Sequence, residues 1–510
     1  MPSLPSGPYD VVIVGSGFGG CMSAIPLVEA GLRVLMIERG DWVVRGEENW
    51  GEQGAFVLTP HYTHDGALQV RTVRGWRTQG ICACVGGPSV FYGGASFRFR
   101  EADFRPPVEI IRASAAEWPI GYGQLETYYC RAESLLGVAG EVGCDPTEPP
   151  RSRPYPKRPL PDSATSRLVA AAASDLGMTP FRMPMAIDAT SCRACITCDA
   201  FACAVEAKND LATRVIPRLL ESGMELMTGT VAARIERHGR SVRGIDAIVT
   251  RTGERVRIEA RHVVLAAGAL ATPRLVLASG LAQASSARHA IGRYLMRHCN
   301  AMIYGYFPGA SKRLGEHHKQ IAIHDFYFGD PEQPQLGKLG NLQQVMTPPA
   351  SLVRAMLPFG VGTAAGALSH LLTGILTIAE DQPRAENGVY LDRRRRDAHG
   401  LPAARIEHHY SARDLKARRA LLRRARQVLR RSGALFTVTW KVNTFSHAVG
   451  TMRMGNDPAT SPLDPMCRFR GLDNLWVADG SVFPTSAGVN PSLTIAANAL
   501  RVGTELAEAA

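Results

Sequence analysis

The first forty residues alternate between apolar runs and a glycine-rich turn. Tyr9–Val14 is a short, nearly continuous valine-rich run, typical of a parallel strand buried on both faces. The segment Gly15–Gly20 follows directly, and an apolar, alanine-containing stretch then runs to Gly31, as expected of a helix that ends at a glycine. A second apolar run, Arg33–Ile37, is followed by Glu38. The pattern predicts a strand–turn–helix–strand unit that ends in an acid.

The turn has the pattern G-x-G-x-x-G, at Gly15, Gly17 and Gly20. In a dinucleotide-binding unit, the first glycine allows the tight turn, the second lets the backbone approach a pyrophosphate, and the third lets helix and strand pack closely. The pyrophosphate lies at the helix N-terminus, where unpaired N–H groups and the helix dipole favour an anion. Glu38 can accept hydrogen bonds from a ribose, and an acid at this position favours FAD or NAD over NADP.

Further apolar runs in the middle of the chain predict more strands. They lie at Met224–Thr228, Val231–Glu236, Val242–Thr250, Arg255–Ile258 and His262–Ala266. The last run leads into Ala267 and Gly268, and the apolar segment that follows predicts a helix.

Residues 300–445 carry no further glycine fingerprint, and their pattern predicts a sheet with helices. Strands are predicted at Ile303–Phe307 and Ile321–Phe328. Phe359–Leu376, which is rich in glycine and other small residues, fits either a lid over a site or a buried helix. Ser411–Arg431 has apolar residues at helical spacing and a capping box at its start, which predicts an amphipathic helix with its arginines on the solvated face.

The net charge of +12 and the pI near 9.3 raise the question of a nucleic-acid partner. We expect none, because the arginines are spread along the chain and their densest run is explained by the amphipathic helix. Arg393–Arg396 is predicted to lie in a solvated turn. The longest apolar stretch, Phe359–Ile378, is interrupted by glycines, a serine and a histidine, so no membrane span is expected. No secretory signal precedes the first strand, which predicts a cytoplasmic protein.

Four cysteines lie close together in the pattern C-x2-C-x2-C-x4-C, at Cys192, Cys195, Cys198 and Cys203. The spacing is that of metal ligands and is similar to ferredoxin-type runs, with one more residue in the last gap. A disulfide is disfavoured in a reducing cytoplasm. The run predicts an iron–sulfur cluster, with zinc, free thiols or disulfides as alternatives.

Seven sequence blocks, in their order along nearly the whole chain, resemble the glucose–methanol–choline oxidoreductases. That family consists of FAD-dependent enzymes that act mostly on alcohols. The blocks are VVIVGSGFGG with IERG, GGPSVFYGGASFRFREADF, WPIGYGQLETYY, VVLAAGALATPRLVLASG, AEDQPRAENGVYLD, HAVGTMRMG and LWVADGSVFPTSAGVNPSLTIAANAL. The cysteine run and the form VFYGGASFR are similar to those of a bacterial subgroup that includes aminoglycoside-pathway alcohol dehydrogenases.

The resemblance implies the residues of the reacting centre. His447 matches the family's base, which takes the proton of the substrate hydroxyl. Asn490 stands where other members have His or Asn, and because Asn cannot titrate we expect it to orient the hydroxyl oxygen. Pro491 opens a helix whose N-terminus would place partial positive charge at the edge of the flavin, where negative charge develops on reduction.

The resemblance and the glycine patterns together predict the residues that bind the cofactor. They are Gly15, Gly17, Gly20, Glu38, Gly87, Ser89, Gly93, Val231, Ala267, Asp479, Gly480, Asn490 and Ser492. No histidine stands at 85–100, where covalent members attach FAD, so noncovalent FAD is expected. Tyr92 replaces the Asn that precedes the glycine corresponding to Gly93 in many members of the family.

The sequence therefore predicts an α/β fold with two parts. A Rossmann-like FAD-binding domain comprises residues 1–145, 190–300 and 446–510, and an α+β substrate domain built on an antiparallel sheet comprises 146–189 and 301–445. The expected reaction oxidises a CH–OH group of a sugar, an aminoglycoside or aminocyclitol, or another polyol. It transfers a hydride to flavin N5, with oxygen or another electron acceptor as partner. Alternatives are an oxidase of a sterol or simple alcohol and a non-redox lyase of the same family.

Overall fold

The computed structural model describes residues 7–46, 62–72, 75–195, 198–308, 316–317, 319–358 and 360–510. Their strands, in chain order, are β1 (Tyr9–Val14), β2 (Val34–Ile37), β3 (Tyr62–Thr63), β4 (Leu68–Thr72), β5 (Gly75–Thr78), β6 (Ile81–Cys82), β7 (Pro180–Arg182), β8 (Glu225–Met227), β9 (Thr230–His238), β10 (Ser241–Val249), β11 (Arg255–Leu265), β12 (Ala301–Tyr306), β13 (Ile321–Ile323), β14 (Gly340–Val345), β15 (Leu372–Ala379), β16 (Gly388–Arg396), β17 (Pro402–Glu407), β18 (Phe436–Lys441) and β19 (Leu475–Val477). Their α-helices are α1 (Phe18–Glu29), α2 (Val108–Ile111), α3 (Tyr122–Leu136), α4 (Ala164–Asp175), α5 (Leu211–Arg214), α6 (Ile216–Glu221), α7 (Gly268–Ala278), α8 (Ala350–Met356), α9 (Val361–Ala367), α10 (Ala412–Arg431) and α11 (Ser492–Ala509).

The first sheet is parallel at its centre, where its strands follow the order β8-β2-β1-β11-β19. The apolar side chains of β1 and β2 are buried, as their continuous valine-rich and leucine-rich sequences predict. β11 extends beyond this sheet and pairs antiparallel with β10, which pairs with β9. The two runs predicted at Arg255–Ile258 and His262–Ala266 are therefore one strand. The strand–turn–helix–strand unit of the first forty residues is confirmed.

Helix α1 packs tightly against both the glycine turn and α11 because glycines leave room at the contacts. A Cβ on Gly20 would lie 1.9 Å from the carbonyl oxygen of Gly15. A Cβ on Gly503, in α11, would lie 2.3 Å from the carbonyl oxygen of Ser23, in α1. Helix α1 therefore joins the glycine turn to α11, which begins at the predicted site residue Ser492.

A second sheet of six strands has the order β18-β12-β15-β14-β13-β7, and its strands are all antiparallel to their neighbours. On one face, α10 shares a buried apolar cluster with the sheet, through residues such as Leu421 and Ile303. On the other face, Asn341 donates a hydrogen bond from Nδ2 to the carbonyl oxygen of Gly488, at 2.7 Å. The sheet thus separates α10 from the segment that precedes α11.

Helix α10 begins as predicted but distributes its arginines differently. Ser411 Oγ accepts a hydrogen bond from the Asp414 N–H at 3.1 Å, and Asp414 returns one by accepting from the Ser411 N–H at 2.9 Å. Arg413 and Arg418 are buried rather than solvated. Arg413 donates to the carbonyl oxygen of Glu380 at 2.7 Å. The buried Arg413 side chain of α10 therefore binds the backbone directly after β15.

Three other predicted elements are wrong, because long-range strand pairing overrides the local pattern. The strand predicted at Ile321–Phe328 ends at Ile323, where its pairing with β14 stops. Phe359–Leu376 is not one buried helix: residues 361–367 form α9 and residues 372–376 begin β15, while Phe359 itself lies outside the described residues. Arg393–Arg396 is exposed as expected, but it belongs to β16, not to a turn. Within the described residues, no helix combines the length and apolar composition needed to cross a bilayer.

Replacing Gly20 with alanine is expected to destabilise the protein, because the new methyl group would lie 1.9 Å from a backbone oxygen of the glycine turn. Overpacking of this kind costs about 3 kcal/mol or more when the neighbour cannot move. Gly31→Ala, at the other end of α1, is the matched control: its φ is +76°, but nothing lies within 4 Å of the added carbon. It should lose only about 1 kcal/mol to backbone strain. Chemical denaturation of both variants measures the difference, and equal losses would contradict the close contact.

Candidate functional site

His447 faces His298 because the backbone segments that carry them pair next to each other. Met296 and Val449 form an antiparallel bridge, with N–H···O=C bonds of 3.0 Å in both directions. In this register residue 298 stands opposite residue 447, so their side chains project to the same side. The two Nδ1 atoms are 2.9 Å apart. Sequence reasoning missed His298, because only the long-range pairing marks it.

His298 is held from several sides. The residue is 1% exposed, and its backbone has the left-handed φ of +61°. Its Nε2 lies 3.0 Å from the carbonyl oxygen of Ser486. Its backbone N–H donates to Asp381 Oδ1 at 3.0 Å, and Ser486 Oγ donates to the same oxygen at 3.0 Å. The Asp381 carboxylate therefore joins the His298 backbone to the segment that leads into Asn490.

The His447 ring stays neutral at physiological pH. Burial lowers the pKa of His447 to about 3, and the positive charge of Lys319 adds to this shift. Its Nδ1 contacts His298, whereas its Nε2 has no hydrogen-bond partner among the residues that the structure describes. A neutral imidazole with an available nitrogen can accept a proton.

Asn490 has a fixed amide orientation. Gln343, which is fully buried in β14, donates from Nε2 to Asn490 Oδ1 at 2.7 Å. The Asn490 oxygen is thus engaged, and its NH2 group remains as the donor. Helix α11 starts immediately afterwards, with Pro491 at its N-cap and no side chain capping its first turn. The N–H groups of that turn are therefore available to an anion beside Asn490.

The glycine turn forms a cradle that fits a dinucleotide. Gly17 is the N-cap of α1, and no side chain caps the helix there. A Cβ on Gly87 would lie 3.1 Å from the Gly17 Cα, so the two loops leave bare backbone at the helix N-terminus. Glu38 is buried and accepts hydrogen bonds from Ser16 N at 3.0 Å and Gly40 N at 2.9 Å. Burial raises the pKa of Glu38.

Two predicted cofactor residues bond to the protein itself. Ser89 Oγ donates to the Gly86 carbonyl at 2.7 Å and accepts from Leu211 N at 3.1 Å. These bonds fix the loop that contains Gly87. Asp479 accepts hydrogen bonds from Gly268 N at 2.8 Å and Thr272 Oγ1 at 2.5 Å, so it holds the first turn of α7. Burial raises the pKa of Asp479.

The other predicted residues lie around helices α7 and α11 or on the first sheet. Val231 is buried in β9, and Ala267 is the N-cap of α7. Gly480 is packed beneath α11, where an added Cβ would lie 2.9 Å from Ile495 Cδ1. Ser492 opens α11, and its Oγ donates to the carbonyl oxygen of Ala95 at 3.4 Å. The structure thus places these residues on the elements that the sequence assigned to them.

Gly93 faces an ion pair. Lys319 Nζ lies 2.5 Å from Asp199 Oδ1, and Lys319 is 4% exposed. A Cβ on Gly93 would come within 2.1 Å of the Lys319 nitrogen and 1.8 Å of the Asp199 oxygen. Tyr92, which replaces the family's usual Asn, points elsewhere and donates to the Asn209 carbonyl at 2.6 Å. A side chain at position 93 would therefore displace the ends of the Lys319 and Asp199 side chains, and the predicted contact of Gly93 with the cofactor stays a prediction.

The cysteine run does not assemble a metal site among the described residues, where no three His, Cys, Asp or Glu side chains converge. Cys198 Sγ lies 3.6 Å from His317 Nε2. The loop is organised instead by Lys208, which is 1% exposed and donates to the carbonyl oxygens of Cys198 at 2.8 Å and Phe201 at 2.7 Å. The predicted iron–sulfur cluster gains no support from this geometry.

Comparison with known proteins identifies similar families, chains and structures. Two GMC oxidoreductase family models match residues 82–300 and 383–499, and an FAD binding domain model matches residues 10–84. The chain is 30% identical to 6'''-hydroxyparomomycin C oxidase of Streptomyces lividus, over 98% of this chain and 91% of that protein. It is 29% identical to 2-methyl-1,2-propanediol dehydrogenase of Mycolicibacterium austroafricanum, over 97% and 94%. The structure of pyridoxine 4-oxidase from Mesorbium loti matches with a TM-score of 0.67 and 19% identity, covering 98% of this chain and 99% of that chain.

Removing the Lys319 charge is expected to raise the pKa of His447, because a positive charge that disfavours the imidazolium is lost. Lys319→Met should therefore make His447 gain its proton at a higher pH than in the unaltered protein, whereas Lys319→Arg, which keeps the charge, should not. Titration of 15N-labelled histidine by NMR, with His447→Gln to assign the signal, measures the shift. An unchanged titration in Lys319→Met would show that Lys319 does not act on the ring.

Proposed function

The chain belongs to the GMC oxidoreductase family and is an FAD-dependent enzyme that acts on CH–OH donors, and we propose that its substrate is a sugar, an aminocyclitol-containing glycoside or another polyol. In this reaction the CH–OH group of the substrate becomes a carbonyl group, and bound FAD supplies the chemistry that accepts the hydride from carbon. The observation that carries the proposed oxidation is the neutral His447 ring, whose Nε2 has no partner among the described residues.

His447 is the proposed base. The hydroxyl proton moves from the substrate oxygen to Nε2, while the C–H bond breaks and its electron pair leaves with the hydrogen. Since the pKa of His447 is lowered to about 3, the ring is neutral throughout the physiological range and its Nε2 lone pair is available to the hydroxyl proton. The same low value means that the imidazolium returns its proton readily once the product has left.

Asn490 is proposed to orient the substrate oxygen. Because its Oδ1 already accepts from Gln343, its NH2 group can donate to the hydroxyl oxygen and stabilise charge there as the proton departs. Gln343 itself offers a second contact: its Oε1 is buried and has no hydrogen-bond partner among the described residues. A second hydroxyl of a polyol would satisfy that acceptor, which supports a polyol over a simple alcohol.

The residues that would hold FAD follow from the cradle. The bare N-terminus of α1 at Gly17 and the Gly87 loop suit the pyrophosphate, and Glu38 suits a ribose. The uncapped first turn of α11, beginning at Ser492, suits the end of the flavin ring that becomes negative on reduction.

One row of side chains across the second sheet supports an extended substrate. Gln343, Leu376, Met302 and Trp440 are directly paired from strand to strand, so they share the face on which Gln343 meets Asn490. Three strand spacings separate Gln343 from Trp440, about 14 Å. Trp440 is 38% exposed. An aromatic face at this distance suits the distal ring of a substrate with more than one ring.

His447→Gln is expected to lower the rate of anaerobic flavin reduction by a polyol about 10²- to 10⁴-fold, because the variant cannot take the proton. FAD content, measured from the absorbance of the purified protein, should not change. His289→Gln, an exposed histidine, is the control. A full rate in His447→Gln would remove the proposed base, and a wild-type flavin that no member of a broad alcohol panel bleaches would contradict the proposed reaction.

Trp440→Ala is expected to lower kcat/KM about tenfold for glycosides of two or more rings, because an aromatic stacking contact is lost. Small diols that cannot reach β18 should be oxidised as before. Trp76→Ala, in β5 of another sheet, is the matched control and should affect neither class. Equal losses for small and large substrates would show that Trp440 has a structural role only.

A further inference from the structure

His298 contacts the proposed base through one ring nitrogen and a backbone carbonyl through the other. Its Nδ1 lies 2.9 Å from His447 Nδ1, and its Nε2 lies 3.0 Å from the carbonyl oxygen of Ser486. Both distances are those of hydrogen bonds. With both ring nitrogens engaged and the residue 1% exposed, the ring has no freedom to rotate.

The two contacts determine where the protons are. A carbonyl oxygen only accepts hydrogen bonds, so His298 Nε2 must carry a hydrogen and donate it to Ser486. In a neutral imidazole the other nitrogen then has no hydrogen, and His298 Nδ1 is an acceptor. The hydrogen between the two rings consequently belongs to His447 Nδ1. His447 in turn is left with an unprotonated Nε2, the nitrogen that must receive the hydroxyl proton.

The surroundings keep His298 in this position despite an unfavourable backbone. A φ of +61° is rare for a residue with a Cβ and persists only when its neighbours impose it. Asp381 supplies that restraint: it accepts hydrogen bonds from the backbone N–H of Arg297 at 2.9 Å and of His298 at 3.0 Å. It also accepts one from Ser486 Oγ at 3.0 Å, so one carboxylate holds both the ring's backbone and the carbonyl that the ring donates to.

We propose that His298 is a positioning residue that fixes His447 as the Nδ1–H tautomer and thereby presents Nε2 to the substrate. This inference rests on the proposed function, because it concerns the same base. It adds a second histidine that never touches the substrate but decides which nitrogen of the base is available. Without it, the hydrogen of His447 can move to Nε2, which leaves the wrong nitrogen facing the hydroxyl.

Two substitutions test the proposal without straining the backbone. His298→Gly accepts a positive φ and removes the ring, while His298→Asn also tolerates this conformation and retains an oxygen that can accept from His447 Nδ1–H. In FAD-loaded enzyme, His298→Gly should lower kcat for flavin reduction about 10²-fold or more with little change in KM. His298→Asn should keep most of the rate, and added imidazole should partly restore His298→Gly.

The tautomer itself provides a second measurement that does not depend on turnover. In the unaltered holoenzyme, the 15N NMR signals of His447 should show a protonated Nδ1 and an unprotonated Nε2, and His298→Gly should show a mixture. A protonated Nε2 in the unaltered enzyme would overturn the proposal, since His298 would then be an imidazolium that donates to both neighbours. So would a full rate in His298→Gly. An enzyme that reduces no flavin with any alcohol but has the expected tautomer would contradict only the proposed function.

Discussion

The geometry of the reacting centre depends on the hydrogen bonds that one buried carboxylate, Asp381, accepts. An ionised acid that is 1% exposed must be surrounded by donors, and here those donors come from segments far apart in the sequence. Burial opposes its ionisation, but the nearby His408 ring and the Arg297 N–H lower the pKa of Asp381. The cost of burying this charge is offset only if Arg297, His298 and Ser486 all converge on it. The arrangement of the site is therefore tied to the stability of the fold around Asp381.

The parts of the fold that could be predicted are those whose cause is local. β1, the glycine turn, α1 and β2 follow one another within forty residues, and each is specified by its own apolar pattern and turn chemistry. The capping box of α10 is equally local, involving only Ser411 and Asp414. His447 and Asn490 could be proposed because they stand in distinctive sequence blocks, although their roles remain a proposal.

The parts that could not be predicted depend on distant partners. His298 becomes significant only when the Met296–Val449 bridge sets it opposite His447, and no local pattern announces that bridge. Residues 372–376 have the composition of a helix or lid, yet they form a strand because β12 and β14 flank them. The cysteine run is the converse case: its spacing is locally distinctive, but among the described residues its loop is tied by Lys208, which donates to the carbonyl oxygens of Cys198 and Phe201.

The placement of β19 beside β11 has a consequence for how the protein is made. The two strands are paired through Val263 and Leu475, so a chain emerging from the ribosome must extend more than two hundred residues past β11 before this sheet can acquire its outer strand. Contacts of such long sequence separation slow folding and leave an unpaired strand edge open in the meantime. Until β19 arrives, β11 presents an apolar edge that other chains can pair with, which makes the nascent chain vulnerable to aggregation.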